Sequence, residues 1–163
     1  KTEKDPTERS ENVMIVDLVR NDLSRIAKKG RVGVEELCRV YHFKQVRQLS
    51  SRVSGELEEN MPPVEALRVA FPMGSMTGAP KISAMKIIEE LEDAKRGLYS
   101  GAVGYFTPNG DFDFNVVIRS ILYNSEKEYV SFSVGGAITA QSIPEKEYEE
   151  CLLKAKAMRQ VLS

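Results

Sequence analysis

The chain has one histidine, His42, and two cysteines, Cys38 and Cys151, without Cys-x-x-Cys spacing. A single histidine argues against a His-based zinc site and against a Ser-His-Asp triad. Two scattered cysteines suggest reduced thiols and a cytoplasmic protein, not a disulfide framework. Formal net charge is only −1, so no basic field holds nucleic acid or draws the chain to an anionic membrane. No apolar run approaches the ~18 residues of a membrane span. Internal repeats, low-complexity tracts and linkers are missing too. No signal peptide is expected at the start, whose residues read as mid-domain sequence.

What remains is ordinary globular material: 163 residues, 42% hydrophobic and 29% charged. That is enough for one domain with a proper core. Apolar spacing at Val13, Val16, Leu18 or Val19, Leu23 and Ile26 predicts a helix over residues 6–29, with Asp5 as N-cap, Pro6 as its first residue and Gly30 as its stop. Residues 31–39 read as a short edge strand, and 41–57 as a strand with alternating Leu49, Ser51, Val53 and Leu57. After a turn at 60–63, residues 64–71 read as a short helix. A glycine-rich loop follows, and Pro80 opens a helix with Ile82, Met85, Ile88 and Leu91 at helical spacing. Beyond Gly97 the period changes to two. Strands are expected over 98–106, 111–123 and 129–134, joined by turns at 108–110 and 124–128. Gly135-Gly136 ends the last strand and a helix closes the chain. The class is α+β, an antiparallel meander with helices packed on it.

Two pairs of glutamates stand out. Glu8 and Glu11 lie three apart near the start of the first helix; Glu147 and Glu150 lie three apart near the start of the last. Residues i and i+3 share a helix face, so each helix offers a two-carboxylate edge. Converging edges would need a hard cation such as Mg2+ between them. Otherwise all four are solvated first-turn glutamates that favour the helix dipole.

Other stretches have chemical potential. GSMTGAPKIS is not a phosphate loop: Gly74 and Gly78 are spaced wrongly, and Pro80 removes a needed N–H. It still precedes a helix N-terminus, where Ser75 and Thr77 add hydroxyl donors for an anion; the alternative is a tight loop needing glycine for its backbone. Tyr99 and Gly101 stand at a strand start. Arg119 reads as a charge inside an apolar strand, which needs a buried carboxylate or a ligand's carboxylate as partner. Gly135 and Gly136 let a ligand approach the backbone, or form a bulge. Lys154, one turn after Glu150, is its surface partner or a cation for an anionic ligand.

ENVMIVDLVRNDL, FPMGSMTGAPKISAM, RGLYSGAVGY, VVIRS and GGAIT…PEKEYEE, in this order, resemble the chorismate-utilising enzymes. That family includes anthranilate synthase component I, aminodeoxychorismate (para-aminobenzoate) synthase component I, isochorismate synthase and salicylate synthase. The resemblance covers nearly the whole chain. It implies antiparallel β-sheets in the core with helices outside, the substrate chorismate, and one Mg2+. It implies Glu11 and Glu150 as direct ligands, with Glu8 and Glu147 holding the ion's waters. Tyr99, Arg119, Gly136 with its neighbour Gly135, and Lys154 match positions that contact chorismate's carboxylates. Ser75 matches a hydroxyl position in the pocket.

Two departures bear on activity. The family's upstream portion, with its Pro-Ile-x-Gly-Thr motif, is not in the sequence. Residues 1–163 are therefore expected to be the C-terminal portion of one chorismate-binding domain, with an incomplete site, inactivity alone and some exposed sheet edge. In VRQLSS, Gln48 stands where aromatising members usually have histidine, and an amide cannot transfer a proton as imidazole does. With Glu11-Asn12 and Gly135-Gly136, Gln48 leans towards aminodeoxychorismate synthase component I. The expected reaction is amination of chorismate at C4, on the path to folate, with ammonia from a glutamine amidotransferase partner. Anthranilate synthase component I, which aminates at C2 and expels pyruvate, is the alternative, followed by a water-using isochorismate or salicylate synthase. A reading of another class is a non-catalytic fragment that binds chorismate and Mg2+.

Overall fold

A computed structural model describes residues 6–42 and 47–163. The expected N-cap, Asp5, lies outside the described residues, as does 43–46 of the expected strand 41–57. The chain divides into two compact units, Lys1–Lys95 and Arg96–Ser163. Helices alternate with small antiparallel sheets in an α+β architecture.

The first unit is built on helix α1 (Pro6–Ser24) and a ribbon of two long strands, β1 (Ala27–His42) and β2 (Arg47–Leu57). The strands pair antiparallel from Ala27 opposite Leu57 to His42 opposite Arg47. Register shifts between Ala27 and Val32, Val34 and Glu36, and Glu36 and Arg39 interrupt the ladder. Cys38, with φ +52, sits in the last of these, as an extra bulge residue would. Val16 of α1 is buried, with Ile26, Ala27 and Cys38. Helix α2 (Pro63–Ala70), a 3-10 turn over Gly74–Met76 and helix α3 (Lys81–Leu91) follow.

Helix α1 is shorter than its sequence suggests. The N–H groups of Arg25 and Ile26 reach back three residues to the carbonyls of Asp22 and Leu23, which closes the helix in a turn. Ile26 and Ala27 then go into the core, and Lys28 and Lys29 become strand residues. Lys28 meets Glu56 across the ribbon at 2.6 Å, so this lysine serves strand pairing instead of a helix end. The edge strand expected over 31–39 is the middle of β1. The helical spacing of Ile82, Met85 and Leu91 is present in α3, but all three are exposed and α3 buries none of its residues.

The second unit holds two hairpins and a helix. Strands β3 (Ala102–Phe106) and β4 (Phe112–Val116) pair from Ala102 opposite Val116 to Phe106 opposite Phe112. Phe106, Phe112 and Phe114 cluster on this hairpin with ring centroids 5.2–6.3 Å apart, a normal range for aromatic pairs. Strands β5 (Leu122–Asn124) and β6 (Tyr129–Ser131) form the second hairpin. Helix α4 (Pro144–Leu162) buries Ala155 and Met158. The strands expected over 98–106, 111–123 and 129–134 are thus trimmed. A turn occupies 98–101, with the Gly101 N–H donating to the Leu98 carbonyl at 2.9 Å. The expected 111–123 strand breaks after Val116, because the backbone bends at Arg119, where φ is +50. Among the described residues no helix is long and apolar enough to cross a membrane.

Candidate functional site

In the first unit the Glu8–Glu11 edge lies on α1, and both residues are half-buried. The turn that carries Glu11 is tied to the ribbon by its neighbour. The Asn12 Oδ1 accepts a short hydrogen bond from the Ser51 hydroxyl and a second, at 3.4 Å, from the Cys38 thiol. Ser51 Oγ in turn accepts the Cys38 N–H at 2.9 Å. The bulge at Cys38 turns this N–H out of the ladder and towards a side chain. Helix and ribbon therefore share one polar knot.

Gln48 faces Tyr41 across the ribbon. It lines an open cleft of about 310 Å³ with Glu36, Tyr41, Ser50, Ser51 and Arg52. The Tyr41 hydroxyl donates to the Glu36 carboxylate at 2.5 Å, and Arg39 pairs with the same carboxylate at 2.5 Å while its guanidinium sits 5.3 Å from the Tyr41 ring centre. The Tyr41 hydrogen bond, reinforced by Arg39, holds the Glu36 carboxyl below its ordinary range. The same bond pushes the Tyr41 phenol up, since ionising it would place two anions side by side. Tyr41 is thus a poor acid.

The glycine loop rests on α1: a Cβ on Gly74 would stand 3.1 Å from Leu18. Ser75 is exposed. Thr77 differs from expectation, because its hydroxyl donates to the Met73 carbonyl at 3.2 Å and so serves the loop itself. Lys81, just past the loop, pairs with Asp22 of α1 at 2.5 Å and reaches the Ala70 carbonyl before the loop at 3.5 Å. One ammonium therefore ties both ends of the loop to α1.

The second unit brings most of its expected residues together. Tyr99 lies over the Gly135 backbone, its hydroxyl 2.8 Å from where a Cβ would be. A Cβ on Gly136 would stand 3.2 Å from Glu147 Oε2. Lys154 Nζ donates to the Gly135 carbonyl at 2.9 Å and pairs with Glu150 at 2.8 Å, the i,i+4 contact its spacing predicts. Glycine suits each position because a side chain comes close to its backbone, Tyr99 at Gly135 and Glu147 at Gly136. Arg119 is a correction: it sits on an exposed bend, not inside a strand, so no buried partner is required. The backbone leading to it is held, however. Val117 exchanges hydrogen bonds with Ser100 and Gly101 at 3.0 and 2.9 Å, which ties the Arg119 bend to the turn carrying Tyr99.

Each unit thus carries one two-carboxylate edge of its own. Among the described residues no three His, Cys, Asp or Glu side chains stand close enough together to hold a metal ion. The donor chemistry still fits Mg2+, which is commonly bound through one or two carboxylates and keeps waters for its other positions. Glu147 and Glu150 offer such a pair, as do Glu8 and Glu11. The Asn12–Ser51–Cys38 knot, the Glu36–Tyr41 pair and the Lys81–Asp22 pair went unnoticed in sequence. The last two knots join residues 39 and 59 positions apart, for which one sequence has no periodic signal.

Residues 3–160 match the family described as chorismate binding enzyme. The chain belongs to the chorismate-binding enzyme family. Over 148 residues it is 47% identical to an aminodeoxychorismate synthase of Arabidopsis thaliana, covering 91% of this chain and 16% of that protein. It is 44% identical to anthranilate synthase component 1 of Aquifex aeolicus, covering 97% of this chain and 32% of the other. The crystal structure of anthranilate synthase component I from Streptococcus pneumoniae superimposes with a TM-score of 0.81 at 39% identity, covering 95% of this chain and 35% of that one. The chain therefore spans 16% to 35% of the length of these relatives, and its matches carry both family names.

Proposed function

We propose that this chain is the C-terminal portion of a chorismate-binding domain whose parent protein aminates chorismate at C4 to 4-amino-4-deoxychorismate, using ammonia from a glutamine amidotransferase partner in a cytoplasmic setting. The cluster at Gly135-Gly136 carries the reading: Tyr99, Lys154 and Glu147 approach the backbone of the two glycines, and Glu150 pairs with Lys154. This combination suits an anionic ring substrate and a hard cation. Lys154 and Tyr99 would hold a carboxylate against the Gly136 backbone, and Ser75 would add a hydroxyl. Arg119, free of any strand, would present its planar fork to the enolpyruvyl carboxylate and fix the substrate's orientation. Glu11 and Glu150 would hold Mg2+, with Glu8 and Glu147 on its waters; the ion supplies a Lewis acid that neutralises and polarises the substrate.

Gln48 favours the first of two amination chemistries. Expelling pyruvate and aromatising the ring requires a proton transfer that an amide does not perform, and neighbouring Tyr41 is held protonated by Glu36. Pyruvate would therefore stay on the ring. The identity to relatives named anthranilate synthase component 1 favours the second reading, amination at C2 with loss of pyruvate. Incubating the full-length protein with chorismate, Mg2+ and ammonium, and weighing the product, separates the two. Aminodeoxychorismate with pyruvate retained is the expected result. Anthranilate with free pyruvate would replace it with the second reading, and saturable chorismate binding without product would leave a binding module.

A further inference from the structure

Lys154 is not a solvated surface lysine. Its side chain is 26% exposed and that of Glu150 is 29% exposed. Its ammonium is held by two acceptors from different segments, the Glu150 carboxylate on its own helix at 2.8 Å and the Gly135 carbonyl at 2.9 Å. An exposed i,i+4 pair contributes little and needs no second acceptor. The carboxylate it occupies is one that the proposed function gives to a divalent cation. Ammonium and cation cannot both sit on Glu150 at full strength, since like charges that close repel.

Resting on that metal reading, we infer that Lys154 is a resident counter-ion of Glu150 that an incoming divalent cation displaces. Without metal, Lys154 offsets one of the two charges on Glu147 and Glu150. When the cation takes Glu150, the ammonium stays tethered at the Gly135 carbonyl, beside Tyr99, and turns to the substrate's carboxylate. The metal thereby frees the cation that the substrate needs. By linkage the substrate must tighten metal binding by the same factor. Metal and anionic substrate bind cooperatively through one side chain, with no change of fold.

Mn2+, followed by paramagnetic resonance on the full-length protein without substrate, is the probe. Lys154→Met should bind Mn2+ about tenfold more tightly than wild type, because one repelling charge is gone. It should also lose the mutual tightening of Mn2+ and chorismate, which Lys154→Arg should keep. Unchanged or weaker Mn2+ binding by a Lys154→Met protein that melts like wild type would overturn the inference. If that variant fails to fold, the wild-type Lys154 Nζ resonance decides: it should shift on adding Mg2+ alone, and in Glu150→Gln it should not. A resonance indifferent to Mg2+ in a wild type that binds Mn2+ overturns the inference while the metal reading stands. A wild type with no saturable Mn2+ binding overturns both.

Discussion

The Tyr99 hydroxyl fills the space beside Gly135, 2.8 Å from where a Cβ would stand, while the ring carbon that bears it is 3.9 Å away. A methyl group at Gly135 therefore meets the oxygen and not the ring. Gly135→Ala should cost about 1–3 kcal/mol through overpacking, measured by urea unfolding. Adding Tyr99→Phe should recover much of the loss, since 3.9 Å is ordinary contact. An unrecovered loss would locate the strain in the backbone instead.

Asn12 accepts hydrogen bonds from both Ser51 and Cys38. Asn12→Ala leaves the buried Cys38 thiol and the half-buried Ser51 hydroxyl without that acceptor, and about 1–3 kcal/mol of stability should go with it. Because the knot ties α1 to the ribbon, hydrogen exchange in residues 8–16 should also quicken. Unaltered exchange would mean that apolar packing at Val16 suffices to hold the helix.

Lys81 and Asp22 are mostly buried, with side chains 16% and 10% exposed. Removing one partner strands the other's charge, so Lys81→Met or Asp22→Asn alone should cost about 3–5 kcal/mol. The double variant Lys81→Met/Asp22→Leu should cost clearly less than the sum, with a coupling of about 0.5–3 kcal/mol. Strict additivity in thermal or denaturant unfolding would show that the pair does not act as a unit.

The Glu36–Tyr41 bond predicts a pH window. The Glu36 carboxyl is lower in the fold than in the open chain, so its contribution is present above the ordinary carboxylate range and lost as pH falls through the depressed value. The Tyr41 phenol is raised, so its contribution is present below the ordinary phenol value and lost as pH rises through the raised one. In Tyr41→Phe the Glu36 carboxyl carbon should titrate at higher pH by NMR. An unmoved titration would assign the depression to Arg39.

Much of this protein follows from local pattern. Pro6 and Pro144 open helices because a fixed φ and a missing N–H cost nothing at a first turn, and both helices begin there. The hairpin at residues 107–111 follows from Pro108-Asn109-Gly110 between alternating strands. The Lys154–Glu150 contact follows from i,i+4 spacing. The family, too, is legible, because five motifs in order are far more specific than any one.

The misreadings share a cause. Residues 25–29 continue a helical pattern in charge and apolarity, yet strand pairing of Lys28 with Glu56 and burial of Ile26 override that propensity. Arg119 seemed buried because its neighbours are apolar, but a single positive φ ended the strand and turned it out.

By itself the sequence determined the helix starts, the turns, the spacing of each glutamate pair and the family, since all of these are written in residues close together or in ordered motifs. The tertiary structure alone decided what Asn12, Lys81, Tyr99 and Lys154 touch. Each meets groups brought near by the path of the chain, and hydrogen bonds and ion pairs between such groups exist only once burial and backbone geometry have placed them within about 3 Å.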